Sequence, residues 1–233
     1  MKWAAVIVAA GRGTRLGHPK QLLELAGLPM VGWSIRVFAA MPEVAELIVA
    51  TEPDSIVPVR ELLAKLAPQE SSRVVGGGAT RQQSVHEGLG FVTQACDAVL
   101  VHDGARPLVI EDDVRAGMAA VGSGRASLLA TPVVDTIKQV NAESLRVGAT
   151  LDRRTLWSAQ TPQFALTADL RCAHERARRE GFESTDDAAL LERIGIEVVV
   201  VRSKSENFKV THQQDVARAV AILQARELAS NVS

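Results

Sequence analysis

The hydrophobic positions of this chain fall into short apolar runs separated by segments with helical spacing. The runs rarely alternate strictly with polar residues, and they predict buried strands. They lie at residues 6–9, 47–50, 98–101, 128–130 and 198–201. Strands that are apolar on both faces are typical of a sheet covered on both sides by helices, which is usually a parallel sheet.

Helical segments lie between these runs. Apolar residues recur at i, i+4, i+7 spacing at Val31, Ile35 and Phe38, and again at Val216, Val220 and Leu223. The alternation of strand and helix predicts an α/β fold, namely a three-layer Rossmann-like sandwich with a mostly parallel central sheet. A chain of 233 residues is long enough for one large core, and we expect a single domain over residues 1–233.

Residues 132–157 break this alternation because they have little helical period. Residues 136–140 and 145–150 predict two strands joined by a turn at residues 141–144. A two-stranded hairpin is only marginally stable in isolation, so it needs support from another surface. We therefore expect a protruding β-arm at about residues 133–157 and a homodimer formed through it.

The first apolar run leads into a glycine-rich segment that carries cations. Residues 6–20 read VIVAAGRGTRLGHPK, with Gly11 and Gly13 followed by the candidate cations Arg15 and Lys20. Glycine allows close approach of a ligand to the backbone, free N–H groups bind an anion, and the cations neutralise it. Our hypothesis is that a nucleoside triphosphate binds here.

Two common phosphate-binding motifs do not match this segment. The Walker A motif has four residues between its glycines, whereas five separate Gly11 from Gly17, and His18 stands where lysine is required. The dinucleotide-binding motif has a third glycine where this chain has Leu16. The segment is therefore either a different phosphate-binding loop or a tight turn with surface arginines.

Two further strand ends carry glycine together with polar residues. GGGATRQQS occupies residues 76–84 after a predicted strand, and HDGARP occupies residues 102–107 after the run at residues 98–101. Ligands of such sheets bind beyond the carboxyl ends of the strands. We therefore expect these two loops and the first glycine-rich segment to meet at one site.

The residues of these two loops have alternative roles. Asp103 either holds Mg²⁺ on the triphosphate or caps a turn. Arg106 either binds a phosphate or pairs with a nearby carboxylate. Gly78 and Ser84 either contact the base and ribose or belong to a tight turn, and Arg81 is expected to brace the loop.

Two later segments add candidates. Thr185 precedes two aspartates and an apolar segment, a pattern typical of a helix N-cap and also suited to anion binding. Lys209 follows the last predicted strand and is expected to reach the same edge of the sheet. The five histidines form no ligand pair, so we predict no catalytic histidine.

Composition narrows the class of protein. The net charge of −1 gives no reason to expect a nucleic-acid partner. Lys2 is followed by only a short apolar run, and no stretch approaches ~20 apolar residues, so we expect neither a signal peptide nor a membrane span. Cys96 and Cys172 are too few for a disulfide framework and indicate reduced thiols in a cytoplasmic protein.

These motifs together resemble those of the 2-C-methyl-D-erythritol 4-phosphate cytidylyltransferase family, within the nucleotidyltransferase superfamily. The resemblance runs along the whole chain. It rests on AAGRGTRLG with PKQ, GGATRQQSV, VHDGARP, TPVVDTIK, LDRRTLWSAQTPQ, STDDAALL and ENFKVT. The first motif alone indicates only the superfamily, whereas the later ones are more specific to the family.

The resemblance implies a homodimer that transfers CMP from CTP to methylerythritol phosphate with Mg²⁺, releasing pyrophosphate, in non-mevalonate isoprenoid biosynthesis. It implies catalytic roles for Arg15, Lys20 and Lys209. It implies CTP contacts at Ala9, Ala10, Gly11, Gly13, Gly78, Ser84 and Asp103, the last also holding the metal. It implies methylerythritol phosphate contacts at Arg106, Thr136, Arg153, Thr185 and Lys209. Thr136 and Arg153, on the arm, would reach the site of the neighbouring subunit.

The chain departs from the family pattern at two positions. Ala79 stands where some relatives carry an acid, which places more of the base recognition on the backbone and Ser84. Gly104 stands where other members carry alanine. Three alternatives are a ribitol 5-phosphate cytidylyltransferase, a sugar-1-phosphate nucleotidyltransferase using another base, and a catalytically silent nucleotide-binding module.

Overall fold

The computed structural model describes residues 1–11, 20–68, 71–204 and 206–230. Its strands are β1 (Trp3–Ala9), β2 (Glu24–Leu25), β3 (Leu28–Pro29), β4 (Val44–Thr51), β5 (Ser72–Gly76), β6 (Ala98–Asp103), β7 (Arg125–Pro132), β8 (Lys138–Val140), β9 (Val147–Thr150), β10 (Trp157–Leu166) and β11 (Glu197–Arg202). Its α-helices are α1 (Met30–Ala39), α2 (Ile56–Leu66), α3 (Arg81–Gly90), α4 (Glu111–Ala119), α5 (Thr167–Glu180), α6 (Asp187–Arg193) and α7 (Gln213–Ser230).

The central sheet contains seven strands in the order β11-β7-β10-β6-β1-β4-β5. The pairs β1–β4, β1–β6, β4–β5 and β11–β7 are parallel. Strand β10 runs antiparallel to both of its neighbours, β6 and β7. The predicted mostly parallel α/β sheet is therefore confirmed, and all five apolar runs lie in its strands.

Sequence patterns did not predict β10. Its sequence, WSAQTPQFAL, has polar residues in its first half and Pro162 in the middle, and proline normally argues against an inner strand. The pairing with β7 shifts register between Ala159 and Gln163, so the irregular part of the strand contains the proline. The strand is nevertheless buried from Gln160 to Ala165, between β6 and β7.

Alternate residues of β1 belong to two different hydrophobic clusters. Ala5 and Ile7 pack with apolar residues of α1, α2 and α4 on one face of the sheet. Ala4 and Val6 pack with residues of α3, α5 and α6 on the other face. Because successive side chains of a strand point to opposite faces, both faces of the sheet are covered. This confirms the predicted three-layer arrangement.

Helix α7 contributes to a third hydrophobic cluster, distinct from those on the two faces of the sheet. Its residues Ala219 and Leu223 share a cluster with Trp33 of α1, Leu108 and Val210. The two neighbours of Lys209 in the chain, Phe208 and Val210, both pack in this cluster. Among the helices that the structure describes, none is long and apolar enough to cross a membrane.

Strands β8 and β9 form a separate two-stranded antiparallel sheet inside the predicted arm. Residues 138–155 are all exposed. The predicted strands were longer than the observed ones, and Leu145, predicted to begin the second strand, lies instead in the turn with a φ of +53°. Its N–H donates to the Asn141 carbonyl oxygen at 2.9 Å, which closes that turn.

Candidate active site

The carboxyl ends of β1, β4, β5 and β6 open into a cavity of about 1080 Å³. The loops that follow β1, β5 and β6 all reach it. Eight of the predicted contact residues line it, namely Ala9, Ala10, Gly11, Lys20, Gly78, Ser84, Asp103 and Lys209, and so does Arg81. The cavity volume is in the range of small-molecule sites, and its position matches the general location of ligands in such sheets.

The other predicted residues are placed differently. Gly13 and Arg15 lie outside the described residues. Thr185 is exposed and directly precedes Asp186, whose side chain caps α6 by accepting from the Ala189 N–H at 3.1 Å. The predicted contacts Arg106, Thr136 and Arg153 lie outside the described lining of the cavity.

Asp103, the last residue of β6, lies among three cations. Its Oδ1 accepts from Arg81 Nε at 2.9 Å, and its Oδ2 accepts from Lys209 Nζ at 2.8 Å. Arg106 Nε is 3.9 Å from Oδ2. Burial by itself would raise the pKa of Asp103, but Arg81 and Lys209 outweigh burial and lower the pKa. The carboxylate is therefore ionised at neutral pH.

The two lysines approach the cavity from different segments. Lys20 begins a short 3₁₀ turn, and its Nζ donates to the Val210 carbonyl oxygen at 3.3 Å. The Val210 N–H in turn donates to the Ala105 carbonyl oxygen at 2.8 Å. These bonds hold the loop after β6 and the segment with Lys209 together, so that both ammonium groups lie at one cavity.

The loop after β5 needs glycine because the backbone packs closely there. A Cβ on Gly77 would clash with Ala10, and one on Gly78 would clash with Gln83. The Gly77 N–H donates to the Thr51 carbonyl oxygen at 2.7 Å. The Ser84 hydroxyl accepts from the Gly78 N–H at 3.1 Å, so the serine holds the loop that lines the cavity.

His102 is a site residue that sequence reasoning missed. It is fully buried, and burial lowers its pKa from 6.5 to about 4, so the ring is neutral. Its Nε2 contacts the Arg106 carbonyl oxygen at 3.1 Å, and a carbonyl can only accept, so Nε2 carries the proton. Nδ1 then accepts from the Thr161 hydroxyl at 3.1 Å, and Thr161 Oγ1 accepts from the Asp103 N–H at 2.9 Å.

This tautomer joins the loop after β6 to β10 from the inside, with Asp103 and Arg106 both fixed by one ring. A signal for His102 was present in the sequence. It is a polar residue directly after the apolar run at residues 98–101, and it begins HDGARP. Without a structure, nothing distinguished it from the other histidines.

Arg106 and Asn207 connect the loop after β6 to the segment between β11 and α7. Arg106 Nη1 donates to the Asn207 carbonyl oxygen at 2.8 Å, and burial lowers the pKa of its guanidinium. The buried Asn207 side chain donates through Nδ2 to the Thr161 carbonyl oxygen at 2.7 Å. Asn207 thus anchors the segment that brings Lys209 to Asp103, a role not anticipated from the sequence.

Neutral His102 makes folding sensitive to mild acid. The folded-state pKa of about 4 lies below the ordinary 6.5, so the unfolded chain binds the extra proton as the pH falls between these values. We expect His102 to withdraw up to about 3 kcal/mol from the free energy of unfolding between pH 7 and pH 4. Urea unfolding at pH 7, 5.5 and 4 measures this loss.

His102→Gln should flatten that pH dependence, because an amide cannot take up a proton in this range. His212→Gln, at an exposed position, is the matched control. The carboxyl pKa of Asp103 lies below its ordinary 3.8, so its own contribution is lost only at more acidic pH. An unchanged pH slope in His102→Gln would contradict the assignment of a neutral buried ring.

A mostly parallel sheet with glycine loops, lysines and a paired carboxylate at its carboxyl edge defines a protein that binds a phosphorylated nucleotide. The family model for 2-C-methyl-D-erythritol 4-phosphate cytidylyltransferase matches residues 3–225 of this chain. The chain therefore belongs to the 2-C-methyl-D-erythritol 4-phosphate cytidylyltransferase family. Its sequence motifs had indicated the same family.

Individual relatives agree with this assignment. The 2-C-methyl-D-erythritol 4-phosphate cytidylyltransferase of Halalkalibacterium halodurans is 38% identical over 229 residues, covering 97% of this chain and 99% of the relative. The enzyme of the same name from Thermosynechococcus vestitus is 40% identical over 223 residues, covering 95% of each chain. The crystal structure of the Thermus thermophilus enzyme is 34% identical and superposes with a TM-score of 0.78 over 96% of this chain and 100% of that one.

Proposed function

We propose that this protein transfers CMP from CTP to 2-C-methyl-D-erythritol 4-phosphate, giving 4-diphosphocytidyl-2-C-methyl-D-erythritol and pyrophosphate in non-mevalonate isoprenoid biosynthesis. The observation that carries the proposal is the group of Lys20, Lys209 and Asp103 at the cavity, in a chain of this family. We also propose that residues 1–233 act as one nucleotidyltransferase domain.

The reaction needs positioning and fixed positive charge. The phosphate oxygen of the acceptor attacks the α-phosphorus of CTP, the bond from that phosphorus to the bridging oxygen breaks, and pyrophosphate leaves with the electron pair. Negative charge accumulates on the oxygens around the α-phosphorus. In the proposal Lys20 and Lys209, which line the cavity, stabilise this charge together with Arg15 of the first glycine-rich segment. No nucleophilic side chain is required, because the acceptor phosphate is already ionised near neutral pH.

The residues at the cavity are compatible with Mg²⁺. Magnesium usually binds one or two carboxylates together with substrate phosphates and water, and Asp103 supplies one ionised carboxylate. Among the described residues there is no cluster of three or more histidine, cysteine or acidic side chains, so the triphosphate and water would provide the remaining ligands. When bound, the ion would neutralise phosphate charge.

The proposal places the CTP base and ribose near the loop after β5. Gly78 and Ser84 line that part of the cavity, and Ala9, Ala10 and Gly11 line the end of β1, with Gly13 following in the first segment. The acceptor phosphate would be bound by Arg106, Thr185 and Lys209, of which Lys209 belongs to the described lining of the cavity. Arg106 lies within the loop after β6, and Lys209 donates to the carboxylate of Asp103, the last residue of β6.

The β8–β9 arm supports a homodimer. Several large apolar side chains of the arm are exposed: Val134, Val140, Leu145, Val147, Leu151 and Trp157. Exposed apolar surface of this extent is typical of a protein–protein interface. In the proposed dimer Thr136 and Arg153, both exposed, complete the acceptor site of the partner subunit. The free thiols of Cys96 and Cys172 support a cytoplasmic location.

A substrate panel tests the function. The protein is incubated with Mg²⁺, one of the four nucleoside triphosphates, and either methylerythritol phosphate or ribitol 5-phosphate, and pyrophosphate release is measured. We expect release with CTP and methylerythritol phosphate. Release only with ribitol 5-phosphate, or only with another nucleotide, would identify a different transferase, and no release with any pair would identify a silent nucleotide-binding module.

A further inference from the structure

Arg81, the first residue of α3, joins two carboxylates that come from distant parts of the chain. Its Nε donates to Asp103 Oδ1 at 2.9 Å, and its Nη1 donates to Asp187 Oδ2 at 2.8 Å. The two carboxylate side chains are only 9% and 2% exposed. A planar guanidinium bonded through two of its nitrogens to two buried acids is fixed in orientation as well as in position.

Asp187 is itself held from the other side. Its Oδ1 accepts from His174 Nε2 at 2.9 Å, and its backbone N–H donates to Gln163 Oε1 at 2.9 Å. It is also the first residue of α6. Arg81 therefore connects Asp103 to a point that is anchored on both α5 and β10.

The neighbouring residue Gln82 attaches the loop before α6 to the same helical turn. Its Nε2 donates to the Phe182 carbonyl oxygen at 3.0 Å, and its Oε1 accepts from the Ser184 N–H at 2.8 Å. Thr185, the proposed acceptor contact, follows directly in that loop. The first turn of α3 thus holds residues 182–187 on one side and Asp103 on the other.

We infer that Arg81 is a positioning residue for CMP transfer, which fixes Asp103 in register with the loop at residues 182–187. This inference rests on the proposed function, in which Asp103 belongs to the CTP side and Thr185 to the acceptor side. Two reacting phosphates must be held at one distance and angle, and an error of about 1 Å can cost 10²-fold in rate. Arg81 sets that relation through its bonds to Asp103 and Asp187.

Arg81→Lys tests the inference. A lysine ammonium keeps the charge and can pair with one of the carboxylates, but it cannot hold both in the fixed geometry of the guanidinium. We expect kcat to fall about 10- to 100-fold while the folded protein remains. Steady-state pyrophosphate release with CTP and methylerythritol phosphate gives kcat and both KM values, and thermal unfolding is recorded in parallel. Arg73→Lys, at an exposed position of β5, is the matched control and should leave kcat unchanged.

A second substitution separates positioning from stability. Adding Asp187→Asn to Arg81→Lys removes the carboxylate that competes with Asp103 for the ammonium, while an amide oxygen remains for His174. We expect kcat of the double variant to stay as low as in Arg81→Lys, because the lysine then pairs with Asp103 alone and the link from Asp103 to the loop at residues 182–187 is lost. If Arg81 only stabilised the fold, the double variant would unfold at a lower temperature but would keep the wild-type kcat at temperatures where it is folded.

The possible results are distinguishable. If wild-type protein releases pyrophosphate and Arg81→Lys lowers only the unfolding temperature, with kcat unchanged, Arg81 has a structural role and the inference is wrong. A double variant that regains the wild-type kcat would also overturn it, because Asp103 would then be positioned without a link to residue 187. If wild-type protein releases no pyrophosphate with any substrate pair, the proposed function itself fails, independently of Arg81.

Discussion

Lys20→Ala is expected to lower kcat for CMP transfer by roughly 10²- to 10³-fold, the usual cost of removing one group that stabilises transition-state charge. Lys20 is the last residue of the first glycine-rich segment and lines the cavity at the ends of β1 and β6. Its positive charge stabilises the transition state most strongly, because the α-phosphorus is then bonded to both the incoming and the leaving oxygen. The loss should therefore appear mainly in kcat and less in the KM for CTP.

The measurement is steady-state pyrophosphate release over a range of CTP concentrations. Lys65→Ala is the matched control, because Lys65 is an exposed lysine on α2 and lies outside the described lining of the cavity. Lys20→Arg keeps the charge and should retain more activity than Lys20→Ala. A variant whose KM rises while kcat stays near the wild-type value would show that Lys20 contributes only uniform binding, and the transition-state role would be wrong.

Much of the fold could be predicted because strands and helices leave periodic patterns. Five apolar runs located five strands of the central sheet, and the helical spacing at Val31, Ile35 and Phe38 located α1. Strand β10 could not be located in this way. Its first half is polar and contains Pro162, so its burial comes from tertiary context, between β6 and β7, and not from any local preference.

The cavity residues were predicted where chemistry and backbone requirements coincide. Gly78 and Asp103 each lie just after or at the end of a strand, where loop composition points to a ligand. The supporting residues were not predicted. His102, Thr161 and Asn207 contact one another or their neighbours across separations of 46 to 59 residues along the chain, which no local pattern records.

The role of Arg81 could be predicted only in part. Its position in GGGATRQQS indicated a residue that braces the loop, and the structure shows it bonded to Asp103 and Asp187. The second carboxylate is 106 residues away in sequence. The sequence could therefore suggest a structural arginine but not the pair of segments that it joins.

The arm is expected to make each active site from residues of two subunits. In the proposed dimer, Lys20 belongs to the body of one subunit and Arg153 reaches that site from the partner. Arg153 is exposed, and its Nη1 donates to the Val134 carbonyl oxygen at 2.6 Å, so its guanidinium is held at the base of the arm. Removing a charged contact to the acceptor phosphate in Arg153→Ala is expected to lower kcat/KM roughly 10- to 100-fold.

Heterodimers separate shared sites from self-contained ones. Subunits carrying Lys20→Ala and Arg153→Ala are given different affinity tags, coexpressed and purified as heterodimers. With shared sites, one site of the heterodimer contains both substitutions and the other contains neither, so activity should return to about half of the wild-type value. With self-contained sites, each site carries one substitution and activity should stay near that of the two parents.

The reciprocal heterodimer gives the opposite expectation. A subunit with both Lys20→Ala and Arg153→Ala is paired with a wild-type subunit, so shared sites would each carry one substitution and activity should be low. Self-contained sites would leave the wild-type subunit intact and retain about half of the activity. High activity in this second heterodimer together with low activity in the first would overturn the shared site. Arg153 would then act within its own subunit, and the exposed apolar residues of the arm would have to be explained by contacts other than this dimer.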